Sequence, residues 1–146
     1  MVTSHGEATW TDTLRNGSGT MESASFEAAY SFAGRFEDGP GVSPEELIAD
    51  AHAGCYSMAL AHELEEAGYV PGSVRTSAEV HFDPGALAIT DIELRTEAQV
   101  ENIDEDTFEE IAEAAKEGCP VSKALAGSNI ELVAAELTSG VEEQPT

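Results

Sequence analysis

Positive charge is what this chain lacks most. Six basic residues, of which only Lys116 and Lys123 are lysines, stand against 29 acidic ones, for a formal net charge of −23. A surface of that sign repels nucleic acid and anionic membranes, so neither is expected as a partner. Cysteine is nearly absent as well: Cys55 and Cys119 are far apart and do not make a metal-ligand spacing. No run is long and apolar enough to span a bilayer, and no signal peptide or lipidation motif is seen, which points to the cytoplasm. A structural staple is not expected there, and a redox-active thiol pair is. Phosphate-cradling glycine loops and a dinucleotide fingerprint are missing too.

What remains is ample for a fold. A chain of 146 residues with 41% hydrophobic content can build one core, or half of an intertwined dimer. The acidity has two readings: a basic partner, or a solvated surface suited to high salt. Dispersal of the acidic residues favours the second. Glu63, Glu65 and Glu66 crowd a helix C-terminus, where the dipole disfavours them, and molar salt, with a screening length of ~3 Å, makes that tolerable.

The stretch 43–68, SPEELIADAHAGCYSMALAHELEEAG, is the organising element. Ser43 and Glu46 form an S-x-x-E capping box, Pro44 suits the first helical position, and Gly68 is a natural stop. Leu47, Ile48, Ala51, Cys55, Met58 and Ala59 follow the spacing of a buried stripe. Ala53, Gly54, Ser57 and Ala61 form a second, small-residue line where another backbone can approach. At ~1.5 Å per residue the helix spans ~36 Å, too long for one small sheet to cover, so a dimer with paired long helices is expected.

Around it, 6–13 and 18–25 read as strands of a hairpin turned at Arg15-Asn16-Gly17 and anchored by Trp10. A further short strand is expected over 26–32, then a Gly/Pro-rich loop over 33–42 that holds Arg35. Strands follow over 73–82 and 86–100, a helix from Ile103-Asp104 to Gly118, and a short helix capped by Cys119 through Leu125. A last strand covers 129–137. Strands and helices segregate, so the class is α+β, with a mostly antiparallel sheet around two helices. One domain is expected over 1–138, with a frayed tail over 139–146.

A buried cysteine is ordinarily an inert hydrophobe with a raised pKa. To act as a nucleophile, Cys55 needs a cation, and Arg35, just before the long helix, is a candidate in a chain so short of them. A buried guanidinium in turn needs a carboxylate, and Glu45 is nearest in sequence. Glu45 and Cys55 are ten residues apart, so on a straight helix ~15 Å separates them. Either the helix breaks near 48–51, or Arg35 spans the gap, or another subunit completes the site; an interfacial site is preferred. His52 reads as a polar packing residue, neither metal ligand nor base. A hydrolase dyad of Cys55 and His52 remains a rival, and predicts an acyl-enzyme with no need for Cys119.

The segments GRFEDGPGVSPEELIADAHAGCYSMAL (34–60) and AKEGCPVSKAL (115–125) closely resemble the OsmC/Ohr family of thiol peroxidases, in its OsmC-like branch. The likeness extends over nearly the whole chain. Its departures are mild, with Ser43 where asparagine is common and Asp50 where a small residue is. The resemblance implies an intertwined homodimer of antiparallel sheets wrapped around two central helices. It implies reduction of organic hydroperoxides, and less efficiently of hydrogen peroxide, in the oxidative and osmotic stress response. Neither metal, haem nor other cofactor is implied. In that reading Cys55 is the peroxidatic cysteine, Cys119 the resolving cysteine that closes a disulfide with it, Arg35 the activating cation and Glu45 its carboxylate. A small dithiol, or a lipoyl- or thioredoxin-like reductant, would reopen the disulfide. The alternative is a non-enzymatic redox sensor or apolar-ligand carrier with the same thiols.

Overall fold

The computed structural model describes residues 1–37, 39 and 41–138; the expected tail, 139–146, lies outside the described residues. The chain divides into two compact units, Met1–Leu47 and Ile48–Thr146.

The first unit begins with a three-stranded antiparallel sheet, β1 (Glu7–Thr11), β2 (Ser18–Glu22) and β3 (Glu27–Tyr30), in that order. Trp10 pairs across to Gly19, which pairs to Tyr30. The two rings meet over that glycine, with centroids 5.3 Å apart. A Cβ on Gly19 would stand 2.6 Å from both rings, so only glycine admits the contact. Trp10 also donates its indole N–H to the Thr13 carbonyl at 3.1 Å, holding the hairpin turn as expected. The expected loop over 33–42 differs: its start is a short helix, α1 (Phe32–Phe36), which carries Arg35. Ser31 makes the difference, because its extended backbone and side-chain oxygen cap the Gly34 N–H at 2.9 Å. Phe32 and Phe36 then stack one turn apart, centroids at 4.7 Å.

The long helix, α2 (Pro44–Glu66), runs without a break. Its start is the expected capping box: Ser43 Oγ accepts from the Glu46 N–H at 3.0 Å, and Glu46 Oε1 accepts from the Ser43 N–H at 3.2 Å. At its end Gly68 takes φ +96°, and the Tyr69 N–H reaches back to the Leu64 carbonyl at 2.9 Å. Both are the marks of a left-handed glycine stop.

The second unit holds a sheet of β4 (Pro71–Asp83), β5 (Ala88–Val100) and β6 (Asn129–Leu137), in the order β4-β5-β6. Val74, Thr76, Ala78, Val80 and Phe82 alternate inward with exposed neighbours, as expected of β4. β4 and β5 pair antiparallel and β5 and β6 pair parallel, so the strand pairings among the described residues are mostly antiparallel, as expected. Two helices lie between those strands in sequence, α3 (Glu105–Gly118) and α4 (Pro120–Ala124), and return the chain to run beside β5 in the same sense. Asp104 caps α3, accepting from the Thr107 N–H at 2.7 Å.

The core of this unit joins α2 residues Tyr56, Leu60 and Leu64 to Ile92 and Leu94 of β5 and Phe108 of α3. The expected stripe of α2 is therefore displaced. His52, Tyr56, Leu60 and Leu64 are fully buried, whereas Met58 is 76% exposed and Ala51 is exposed. Hydropathy undervalued His52 and Tyr56, whose polar tips find partners inside: Tyr56 donates its hydroxyl to the Ala112 carbonyl at 2.7 Å. The second line of small residues is open at Gly54, beside which an added Cβ would meet nothing within 4 Å.

Candidate functional site

The four residues singled out from the sequence fall into two pairs, one in each unit. In the first, Arg35 occupies the last turn of α1, where the helix dipole favours a cation. Its guanidinium meets Glu45 edge-on: Nε lies 3.2 Å from each carboxylate oxygen and the terminal nitrogen 2.8 Å from Oε2. Two-point contact fixes the plane of the guanidinium as well as its distance. Glu45 sits in the first turn of α2, only 8% exposed, and Arg35 lies over the Phe36 ring at 5.4 Å. Arg35, Phe32 and Phe36, with Trp10, Leu14 and Tyr30, line an aromatic cavity of about 280 Å³.

In the second unit, Cys55 stands near the middle of α2, half-buried, and Cys119 is buried at the junction of α3 and α4. Pro120 follows Cys119 and keeps it extended, at φ −69° and ψ 123°. That conformation ends α3 and starts α4 at one residue. Both thiols are free, Cys55 packs against the buried cluster that contains Cys119, and the two lie close enough for Cys119 to shift the Cys55 pKa. Burial pushes the Cys55 thiol above its ordinary value, the backbone N–H of Val121 pulls it down, and the neighbouring Cys119 raises it again. Two neighbouring free thiols have the chemistry to exchange between dithiol and disulfide. As an isolated pair they make a reluctant nucleophile.

Because α2 is continuous, the break near 48–51 that would have folded Glu45 back towards Cys55 does not occur. His52 is a buried packing residue, as expected, with its Nε2 2.8 Å from Ser122 Oγ. Sequence reasoning passed over Ser122 and Val121; their only signal is a place two or three residues after Cys119. Burial lowers the His52 pKa, so the imidazole is held neutral. On the exposed outer face of the second sheet, Glu79, His81 and Glu93 bring their ligand atoms within 4.8 Å of one another. Arg95 already pairs with both carboxylates, at 3.7 Å to Glu79 and 3.6 Å to Glu93, and opposes a metal ion there.

Comparison with known proteins identifies the family and the fold. The family model described as OsmC-like protein matches residues 37–133, more than half the chain, including both cysteines and Glu45. The chain is 45% identical over 125 residues to peroxiredoxin OsmC of Escherichia coli (strain K12), covering 82% of this chain and 87% of that protein. Among solved structures, an OsmC-like protein from Mycoplasma pneumoniae superposes with a TM-score of 0.74 at 14% identity, over 94% of this chain and 99% of the other. An organic hydroperoxide resistance protein OsmC from Legionella pneumophila gives 0.70 at 19% identity, over 94% and 98%. The two structures share the fold, and the curated relative shares enough of the sequence to decide descent. On both grounds, the chain belongs to the OsmC-like protein family.

Proposed function

We propose that this protein is a thiol peroxidase that reduces organic hydroperoxides to alcohols. The observation that carries the proposal is the placing of two reduced thiols as neighbours, Cys55 on α2 and Cys119 at the junction of α3 and α4. Kinship with a peroxiredoxin supports a peroxidase or redox role in general. The finer steps follow from the chemistry of the residues.

Cys55 attacks the distal peroxide oxygen. The O–O bond breaks, the alcohol departs with a proton, and Cys55 is left as sulfenic acid. Cys119 condenses with it, releasing water and closing a disulfide. A cytoplasmic dithiol, lipoyl-linked or thioredoxin-like, restores both thiols by exchange. Burial alone disfavours the Cys55 thiolate, so a cation is required. Arg35 supplies it, and the two-point contact with Glu45 sets the plane of its guanidinium. The active form is a homodimer with the site completed at the interface, and the open stretch of α2 at Gly54 is part of the surface offered to the second copy. The aromatic cavity beside Arg35 favours a lipophilic hydroperoxide over hydrogen peroxide.

A steady-state assay with cumene hydroperoxide and dihydrolipoamide tests the proposal. Many turnovers per Cys55, abolished in Cys55→Ser, are expected. One equivalent consumed and then silence would mark a redox sensor.

A further inference from the structure

Two contacts in the second unit share one geometry. His52 Nε2 lies 2.8 Å from Ser122 Oγ, and Cys55 packs against the buried cluster that contains Cys119, its near neighbour. Cys55 stands one turn after His52 on α2, and Cys119 one turn before Ser122 on α4. A step of three forward on one segment is a step of three back on the other. The segments therefore pass in opposite directions, and the two contacts are successive rungs between them.

Packing alone is a poor reason for His52. It continues the fully buried line of Tyr56, Leu60 and Leu64, yet its Nδ1 has no partner among the described residues. A leucine would fill such a position without leaving a polar atom uncompensated. What the imidazole adds is a directional bond to α4, and α4 needs one. Five residues are too few to sustain a helix, and Cys119 makes no side-chain cap at its start. Ser122, only 8% exposed, gives α4 a directional hold in addition to the packing of Cys119, Val121 and Leu125 in the core.

Resting on the peroxidase reading of the two cysteines, we propose that the His52–Ser122 hydrogen bond is a clasp holding Cys119 against Cys55, which makes His52 and Ser122 positioning residues for the resolving step. In that step the Cys119 sulfur attacks the sulfur of the Cys55 sulfenic acid. The S–O bond breaks, the S–S bond forms, and the hydroxyl leaves with the Cys119 proton as water. The rate depends on how often Cys119 sits within reach, which is what the clasp governs. A second peroxide molecule competes for the same sulfenic acid and carries it to sulfinic acid. The clasp thus protects Cys55 without touching the peroxide.

The test uses the full-length protein as wild type, Ser122→Ala, Ser122→Thr, His52→Leu and the double variant S122A/H52L. Equilibration in dithiothreitol redox buffers, with no peroxide present, reads the Cys55–Cys119 potential. Ser122→Ala is expected to weaken the disulfide about tenfold, a potential about 30 mV less negative. Ser122→Thr, which keeps the hydroxyl, restores it, and the double variant is no worse than the worse single one. After one equivalent of cumene hydroperoxide, closure of the disulfide in Ser122→Ala slows about tenfold and sulfinic acid at Cys55 increases, while the first oxidation keeps its rate. A wild-type potential and closing rate in Ser122→Ala, or simply additive losses in the double variant, would overturn the clasp. Should hydroperoxide fail to oxidise the wild type, the peroxidase reading falls; a shifted potential in Ser122→Ala would still establish the clasp.

Discussion

Arg35 and Glu45 form a two-point ion pair, with the guanidinium Nε equidistant at 3.2 Å from both carboxylate oxygens. Arg35 is 38% exposed at its side chain, so the pair adds little stability, on the order of 1 kcal/mol or less. Its worth is in orientation. Arg35→Ala should leave the melting temperature nearly unchanged; the proposed mechanism, in which Arg35 is the cation for the Cys55 thiolate, predicts peroxide consumption at neutral pH lower by at least about tenfold. Glu45→Gln, which keeps the shape but not the charge, should fall in between. Alkylation of Cys55 across a pH series checks the cause: the Arg35→Ala profile should move to higher pH.

The ends of α2 can be tested separately from the chemistry. Ser43→Ala removes the capping oxygen and should destabilise the protein by about 1 kcal/mol. Gly68→Ala should cost about 1 kcal/mol too, from its positive φ alone, since nothing lies near an added Cβ. Denaturant midpoints report both.

His52 gives stability a pH dependence of known sign. Burial lowers its folded-state pKa below the ordinary value of 6.5. As pH falls, the unfolded chain therefore takes up a proton before the folded one does. This contribution is complete above about pH 6.5 and is lost below it, down to the folded-state value, with a slope no steeper than ~1.4 kcal/mol per pH unit. His52→Leu should remove that slope, as read by the difference in denaturant stability between pH 7 and pH 5, while the slopes due to carboxylates persist in both proteins.

A net charge of −23 repels itself at low ionic strength. We expect the melting temperature to rise from dilute buffer to molar KCl, where screening acts over ~3 Å. A lower melting temperature in salt would remove the case for an acidic surface adapted to salinity.

Elements with explicit local signals were legible in the sequence. The capping box of Ser43 and Glu46, the Gly68 stop, the Asp104 cap and the alternation of β4 all appear where their chemistry places them. The stripe of α2 was not legible, because burial of His52 and Tyr56 depends on Ser122 and the Ala112 carbonyl, distant partners that no helical period reveals. Nor was α1, which rests on one serine cap inside a glycine-rich stretch. The parallel placement of β6 was hidden for a similar reason: strand sense is decided by where α3 and α4 return the chain, not by the composition of 129–137. Within the site, the pairing of Arg35 with Glu45 was anticipated from charge scarcity, and the nearness of the thiols from family likeness. Ser122 carried no signal by itself.

The most direct measurement is the intact mass of the reduced protein after one equivalent of cumene hydroperoxide, for wild type and Cys119→Ser side by side. The account predicts loss of two hydrogens in the wild type, mapping to a Cys55–Cys119 disulfide, and gain of one oxygen on Cys55 in Cys119→Ser. An unmodified Cys55 in both proteins, or a wild type that keeps the oxygen and never closes the disulfide, would contradict it.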